Sequence, residues 1–340
     1  MGHSIPAAAF QLLLGGRLDG DKSQPISGAA GTMATATPQL VTLVSHGERQ
    51  HLNRCQAGLL IVRAGEEPTR HGAASLLSVA DPERAFDWCR RYLRARREVC
   101  QENATVLQNG ACFGPGCAVS SQAAIGAWTV VYPGSLLAAD VEIGPGCVLR
   151  SRAVIEASVR IGARCEIGAG AVIGSECEHY EPGDGNWRRV PGTGSVTLGD
   201  DVSIGPLTVV EKGFRQNTRI GAGSIIGGQA YISHDCALGT GCLMIGQTGL
   251  ASEVVLDDEV ALMGRVAVNS GVHIGYGALV FAGSGVFGDV PPRAHVLGYP
   301  ARPKRQALKA MAALGQVDSL KTRLARIEAQ LRDQHLTAAH

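Results

Sequence analysis

The sequence predicts a parallel β-helix, and three observations lead to this prediction. From Ile220 to Val286 every sixth residue is apolar. Glycine is common close behind these positions, and aromatic residues make up only 4% of the chain. A strand alternates with a period of two and a helix with a period of 3.6, so neither alone produces a strict period of six. Six-residue units are typical of a parallel β-helix.

Each unit is expected to supply one short strand and one corner, so that three units close one coil around a narrow aliphatic bore. The apolar positions of this stretch are Ile220, Ile226, Ile232, Leu238, Met244, Leu250, Leu256, Leu262, Val268, Ile274, Val280 and Val286. An earlier stretch has the same period at Leu107, Phe113, Val119, Ile125, Val131, Leu137, Ile143, Leu149, Ile155, Ile161, Ile167 and Ile173. We expect about nine coils in a column on the order of 40 Å tall.

Two segments interrupt the period. Residues 175–197 are polar and rich in turn residues, and a shorter slip follows around Lys212–Asn217. Loops that leave a repeat column usually lie on its functional face. The predicted domains are therefore 1–102, an α/β domain; 103–300, the β-helix with the inserted loop 175–197; and 301–340, a helical extension.

The N-terminal domain has no six-residue period. We predict helices at Ser4–Leu14 and Glu83–Arg97 and strands at Leu40–Val44 and Gly58–Val62. Arginines on the second helix indicate a solvated helix face more than a grip on an acidic partner. The open strand edges at the ends of a β-helix must be covered, and this domain is expected to cover one end.

The C-terminal extension predicts self-association. Its apolar residues are spaced three and four apart, as in a coiled-coil seam: Val317, Leu320, Leu324, Ile327 and Leu331. A short helix of this kind needs a partner to persist, and a trimer would match a three-sided column. Basic residues on its other faces indicate either ordinary solubility or docking of a small acidic protein.

Composition excludes several function classes. A net charge of +1 argues against nucleic-acid or membrane-surface binding, and no apolar run is long enough to span a membrane. The run Ala7–Leu14 is a poor signal peptide. The ten cysteines contain no CxxC pair, which favours reduced, buried thiols over disulfides or a metal site. We expect a soluble, cytoplasmic protein without a bound metal.

The residues alone give one weak candidate for chemistry. No phosphate-binding loop, GxSxG or HExxH motif is present. His234 follows the inward-pointing Ile232 by two residues, which places it near a corner where a neighbouring column could approach. From the residues alone, a plain surface histidine is the favoured interpretation, and His179 and His273 have the same standing.

The chain resembles the UDP-3-O-acylglucosamine N-acyltransferases of lipid A synthesis, in the hexapeptide acyltransferase superfamily. The resemblance rests on Ser4-Ile5, His51-Leu52, Cys55-Gln56-Ala57, Gly185-Asn186-Trp187, Val190-Pro191, Gly199-Asp200-Asp201-Val202, Ile204-Gly205, Thr218, Ile220-Gly221, Ile232-Ser233-His234 and Gly298-Tyr299-Pro300-Ala301. It implies a left-handed coil, a homotrimer and active sites between adjacent columns. It also implies a second inward slot four residues after each apolar one, filled here by Cys117, Cys147, Cys165, Cys177, Cys236 and Cys242.

The resemblance also implies a reaction. A 3-hydroxyacyl group would move from the phosphopantetheine of acyl carrier protein to the amine of a UDP-aminosugar, with no other cofactor. His234 aligns with the catalytic base, and Ser252 is the aligned candidate for oxyanion support. Ser45, Trp187, Tyr231 and His273 are candidate substrate-binding residues, although for Trp187 the favoured interpretation is that it pins its loop.

The departures from the family lie at substrate contacts. Thr42 and Glu48 occupy the positions of the aromatic pair that cradles the uracil, and Ser45 replaces the asparagine between them. Gly227-Gly228 replaces an Asp-Asn pair, and Gly271 stands where the family has a second histidine. The scaffold and the acyl-transfer step are therefore better supported by the resemblance than the UDP-aminosugar acceptor is. A sister acyltransferase with a non-uridine acceptor and a non-catalytic paralogue remain alternatives.

Overall fold

The chain forms the predicted left-handed parallel β-helix, mainly β in content, with helices at both ends. The computed structural model describes residues 3–44, 49–68, 71–101 and 104–337. Three sheets form the faces of the column, and we name them by size: the nine-stranded, eight-stranded and twelve-stranded faces. All their strands pair in parallel except the first and last strands of the twelve-stranded face, which pair antiparallel. Because strands eighteen residues apart pair in register, as Tyr231 does with Gly249, each six-residue unit occupies one face.

The nine-stranded face consists of Ala118–Val119, Leu136–Leu137, Val154–Ile155, Val172–Ser175, Val209–Glu211, Tyr231–Ile232, Gly249–Leu250, Ala267–Val268 and Gly285–Val286. The eight-stranded face consists of Ala124–Ile125, Glu142–Ile143, Arg160–Ile161, Val196–Leu198, Thr218–Ile220, Ala237–Leu238, Val255–Leu256 and His273–Ile274. The twelve-stranded face consists of Thr105–Val106, Cys112–Phe113, Val130–Val131, Val148–Leu149, Glu166–Ile167, Ser203–Ile204, Ile225–Ile226, Leu243–Met244, Ala261–Leu262, Leu279–Val280, His295–Leu297 and Arg302–Pro303.

Apart from Leu107 and Val119 near its N-terminal end, which are 42% and 39% exposed, the bore is filled as the hexads predict. The inward aliphatic residues form one buried cluster along the column, from Phe113 to Val296. Cys147 and Cys165 lie in this cluster on adjacent coils, because the strands that follow them pair directly. Cys177 does not occupy the predicted bore slot: its thiol lies in the inserted loop, 3.7 Å from the Val190 carbonyl oxygen. The register breaks just before Cys177, so the four-residue offset no longer applies there.

We expect the bore thiols to resist alkylation while the column is folded. Burial raises the pKa of Cys236 to about 12 and raises the pKa of Cys147 and Cys242 as well, and the thiolate is the nucleophile. Cys100 is the internal control, because a hydrogen bond with the Cys112 thiol lowers the pKa of Cys100 to about 6. Peptide mass spectrometry after a short iodoacetamide pulse near neutral pH should find Cys100 labelled first. Equal labelling of Cys236 in the native protein would contradict this account of the bore.

The N-terminal domain is a small α/β unit. Its five-stranded sheet has the order Arg17–Gly20, Ser75–Val79, Leu59–Arg63, Leu40–Leu43, Gly28–Ala29. Ile5–Pro6 pairs with Pro25–Ile26, short 3-10 helices span Met33–Thr35 and Arg49–Arg54, and the α-helices are α1, Ala7–Leu14, and α2, Pro82–Cys100. The four predicted elements are confirmed to within a few residues.

This domain packs against the flank of the column. The expectation that it covers one end of the column is wrong. Trp88 and Tyr92 of α2 join one buried cluster with Cys112 and other outward residues of the twelve-stranded face. The Tyr92 hydroxyl donates to the Trp128 carbonyl oxygen at 2.7 Å. Val119 of the first coil stays 39% exposed, because the aromatic residues of α2 pack against the outer side of the twelve-stranded face and not over the end of the column.

Two helices follow the column: α3, Lys304–Leu314, and α4, Val317–Thr337. The predicted seam residues Val317, Leu320, Leu324 and Ile327 are between 37% and 57% exposed in the single chain. Leu331 lies outside the residues whose side chains are described. The coiled coil therefore stays a prediction. Among the described residues, no helix combines the length and apolar character needed to cross a membrane.

Candidate functional site

His234 lies where the strand Tyr231–Ile232 leaves the nine-stranded face and the chain turns a corner. The residue that follows, Asp235, has a φ of 59°, in the left-handed region that short polar side chains tolerate better than most. This corner sets the direction of the His234 side chain. The residue as a whole is only 4% exposed.

Asp235 orients the imidazole. Its Oδ2 lies 3.3 Å from Nδ1 of His234. Its Oδ1 accepts the main-chain N–H of Gln216 at 2.9 Å, and its own N–H donates to the Thr218 hydroxyl at 3.1 Å. A carboxylate held in this way favours the tautomer with the proton on Nδ1. Nε2 of His234 then carries the lone pair that can accept a proton.

Glu211 fixes the main chain around His234. Its carboxylate is fully buried one coil before Tyr231 on the nine-stranded face. Oε2 accepts the Ser233 hydroxyl at 2.7 Å and the His234 N–H at 2.9 Å. Oε1 accepts the Tyr231 hydroxyl at 2.5 Å and the Glu178 N–H at 2.8 Å. Four donors offset the cost of burying the carboxylate.

The two segments that leave the column meet over His234. The inserted loop contains a hairpin in which Tyr180–Pro182 pairs with Trp187–Arg189. His179, just before this hairpin, stacks on Phe214 of the second segment, with ring centroids 3.8 Å apart and planes 13° apart. Both rings meet His234 edge-on, at 5.3 Å and 5.8 Å. These loops fold over His234 in the single chain, where its side chain is 5% exposed. Its expected place beside a neighbouring column stays a prediction.

Ser252 occupies the equivalent corner one coil later. The N–H of Glu253 donates to the His234 carbonyl oxygen at 3.0 Å, which stacks the two corners directly. The Ser252 hydroxyl donates to the Ser270 hydroxyl at 3.2 Å. Among the described residues, no acceptor lies within hydrogen-bonding distance of the Ser252 main-chain N–H. Its role as an oxyanion donor stays a prediction.

His273 lies on a different face from His234. It is in the strand His273–Ile274 of the eight-stranded face, and its Nε2 lies 2.9 Å from Oδ1 of Asp257. This hydrogen bond lowers the pKa of Asp257. Gly271, where the family has its second histidine, occupies the corner itself, with its N–H bonded to the Ser252 carbonyl oxygen. The structure does not bring His273 to His234.

The remaining candidates are placed less directly. Tyr231 uses its hydroxyl to bind Glu211; burial raises the pKa of this phenol, and the hydrogen bond adds to that effect. Trp187 is 75% exposed on the hairpin. Ser45, like Glu48, lies outside the described residues. Thr42 is fully buried, with its hydroxyl 3.3 Å from the Ala30 carbonyl oxygen.

Three residues of this site are absent from the sequence prediction: Glu211, Phe214 and Asp235. Asp235 had a usable signal, because a carboxylate directly after a corner histidine can reach Nδ1. Glu211 and Phe214 lie at the second interruption of the hexads, where the period stops defining which side chains point inward. Within the described part of the chain, no cluster of histidine, cysteine or acidic residues suits a metal ion.

Comparison with known proteins gives matches over parts of the chain. The family model for the bacterial transferase hexapeptide (six repeats) matches residues 140–175. The chain is 34% identical to the UDP-3-O-acylglucosamine N-acyltransferase of Methylobacterium nodulans over 145 residues, which are 43% of this chain and 41% of that protein. A similar protein of the same name from Caulobacter is 35% identical over 127 residues, 37% of each chain. The alignments thus span about two fifths of these relatives.

A solved structure shares the fold. The UDP-N-acetylglucosamine acyltransferase of Francisella novicida superimposes with a TM-score of 0.52 at 25% identity, over 58% of this chain and 73% of that one. The column is thus similar to those of acyltransferases that act on two related nucleotide sugars, by their names.

Proposed function

We propose that the protein is an acyltransferase that moves a 3-hydroxyacyl group from acyl carrier protein to the amine of a UDP-3-O-acylglucosamine-type acceptor. One observation carries the proposal: His234 lies at a corner of the column, with Asp235 on Nδ1 and Nε2 left to accept a proton. The similarity to named N-acyltransferases supports the choice of reaction. A cytoplasmic location is part of the proposal, since ten cysteines without a disulfide suit a reducing compartment.

The chemistry needs one base and one oxyanion site. Nε2 of His234 removes a proton from the acceptor amine as its nitrogen attacks the thioester carbonyl. The main-chain N–H of Ser252, at the equivalent corner one coil later, would bind the oxyanion of the tetrahedral intermediate. Attack forms the C–N bond, and collapse of the intermediate restores the carbonyl C=O bond and breaks the C–S bond. The thiolate of phosphopantetheine leaves and takes the proton back from the His234 imidazolium.

A homotrimer completes the proposal. The exposed seam of α4 provides a surface for three helices to associate, and three columns side by side would enclose the substrates between them. Lys321, Arg323 and Arg326 lie on the same helix. Acyl carrier protein is acidic, so this basic surface is the proposed docking site.

One observation supports an acceptor other than a UDP-aminosugar. Thr42 is buried and has no aromatic ring, so it cannot stack on a uracil as the family residue does. This favours, as the second candidate, a sister acyltransferase with an amine or hydroxyl acceptor that lacks uridine. A non-catalytic paralogue is less well supported, because a scaffold has no need for the Asp235–His234 pair.

A turnover assay separates these candidates. The full chain would be incubated with a panel of acyl carrier protein thioesters and either UDP-aminosugars or aminosugars without the nucleotide. We expect amide product with the UDP-aminosugar and calorimetric binding of UDP. Product only with acceptors that lack uridine, and no UDP binding, would support the sister enzyme. No transfer to any acceptor would contradict the catalytic proposal.

A further inference from the structure

Two side chains cover His234: His179 of the inserted loop and Phe214 of the second interruption of the hexads. His179 lies flat on Phe214, and both rings meet the imidazole of His234 edge-on. The His234 side chain is 5% exposed in consequence. A base covered in this way cannot reach an amine or a thioester carbonyl until at least one of the two rings moves.

The backbone beneath these rings is firmly attached. Lys212 and Glu176 form an ion pair at 2.7 Å that joins the two segments. The guanidinium of Arg189 donates to the Glu176 carbonyl oxygen at 2.9 Å, and the Glu176 carboxylate accepts the Gly192 N–H at 2.9 Å. Uncovering His234 by unfolding these loops would therefore break several charged contacts.

The rings themselves are held more weakly. His179 Nε2 lies 3.9 Å from Glu181 Oε1, beyond a good hydrogen bond. The guanidinium of Arg215, an exposed residue, lies 5.2 Å from the centroid of the Phe214 ring. A stacked aromatic pair contributes about 0.5–1.5 kcal/mol. Rotation of the His179 or Phe214 side chain is thus the least costly way to uncover His234.

We infer that His179 and Phe214 form an aromatic gate over His234, and that side-chain rotation of this pair controls access to the base. The gate rests on the proposed function only for the identity of the molecule that it admits. Its existence is a property of the folded chain and can be tested without substrate.

The test measures how fast diethyl pyrocarbonate modifies His234 in the intact protein, followed by peptide mass spectrometry. His273, whose side chain is 52% exposed, serves as the internal reference. In the native protein His234 should react much more slowly than His273. Loss of the stack in His179→Ala or Phe214→Ala should raise the His234 rate by about tenfold, the upper end of one stacking interaction.

His179→Phe is the matched control, because it keeps an aromatic ring on Phe214 and removes only the imidazole nitrogens. It should leave His234 as slow as in the native protein, which separates the gate from any role of His179 as an acid or base. Thermal unfolding midpoints close to that of the native protein would establish that the loops remain folded. Slow His234 labelling in His179→Ala, or fast labelling in the native protein, would overturn the gate. A closed gate with no turnover would contradict only the proposed function.

Discussion

Replacement of His234 by glutamine or alanine is expected to lower acyl transfer by about 10²- to 10⁴-fold, the usual contribution of a positioned general base. Glutamine is the sharper change, because it fills more of the space beneath His179 and Phe214 than alanine does. Both variants keep the main-chain N–H that binds Glu211. The loss should appear in kcat more than in KM, since the proton is removed in the transition state and binding does not depend on it.

His273→Gln is the matched control. It changes an exposed histidine on another face of the same column, which has its own carboxylate partner in Asp257. Turnover of this variant should stay within about twofold of the native value, as for most surface substitutions. If His234→Gln retains near-native turnover while its melting midpoint is unchanged, His234 is not the base.

The period of six was enough to predict the column, because the same pattern of inward and outward residues repeats in every coil. Ile232 has a defined inward direction from its position in the hexad alone, and the slot implied by the family resemblance places Cys147 inward as well. The structure confirms both. The corner position of His234 follows from the same count. These predictions need no knowledge of distant contacts, since each coil packs on its neighbours.

The prediction failed where the period is interrupted. Cys177 lies just past the first break, and its thiol faces the inserted loop and not the bore. The two rings that cover His234, those of His179 and Phe214, belong to residues 35 positions apart in the sequence. No local pattern predicts that such segments meet. The flank position of α2 is similar: its apolar stripe predicted burial but did not identify the surface that covers it.

Glu211→Gln is expected to produce the largest loss of stability among the site variants. The carboxylate accepts two donors on each oxygen, whereas an amide presents acceptor lone pairs on one oxygen only. The amide NH2 then faces one pair of donors, of which the hydroxyl can turn to accept from it while the main-chain N–H is left without an acceptor in a fully buried place. This unpaired N–H, together with the loss of charge from the remaining hydrogen bonds, costs about 3 kcal/mol. Calorimetry should find a lower unfolding midpoint, and turnover should fall because the His234 main chain loses its anchor.

A double-mutant cycle with Tyr231→Phe identifies the cause. In the native chain Tyr231→Phe removes one charge-assisted hydrogen bond and should cost about 1.5–3 kcal/mol. In the Glu211→Gln chain the same change removes a donor that the amide satisfies poorly, so its cost should largely disappear. Glu253→Gln, at an exposed position of the next corner, should alter the midpoint very little. Additive effects of the two changes would mean that Glu211 stabilises the corner by its charge alone, and that the hydrogen bonds around His234 do not set its position.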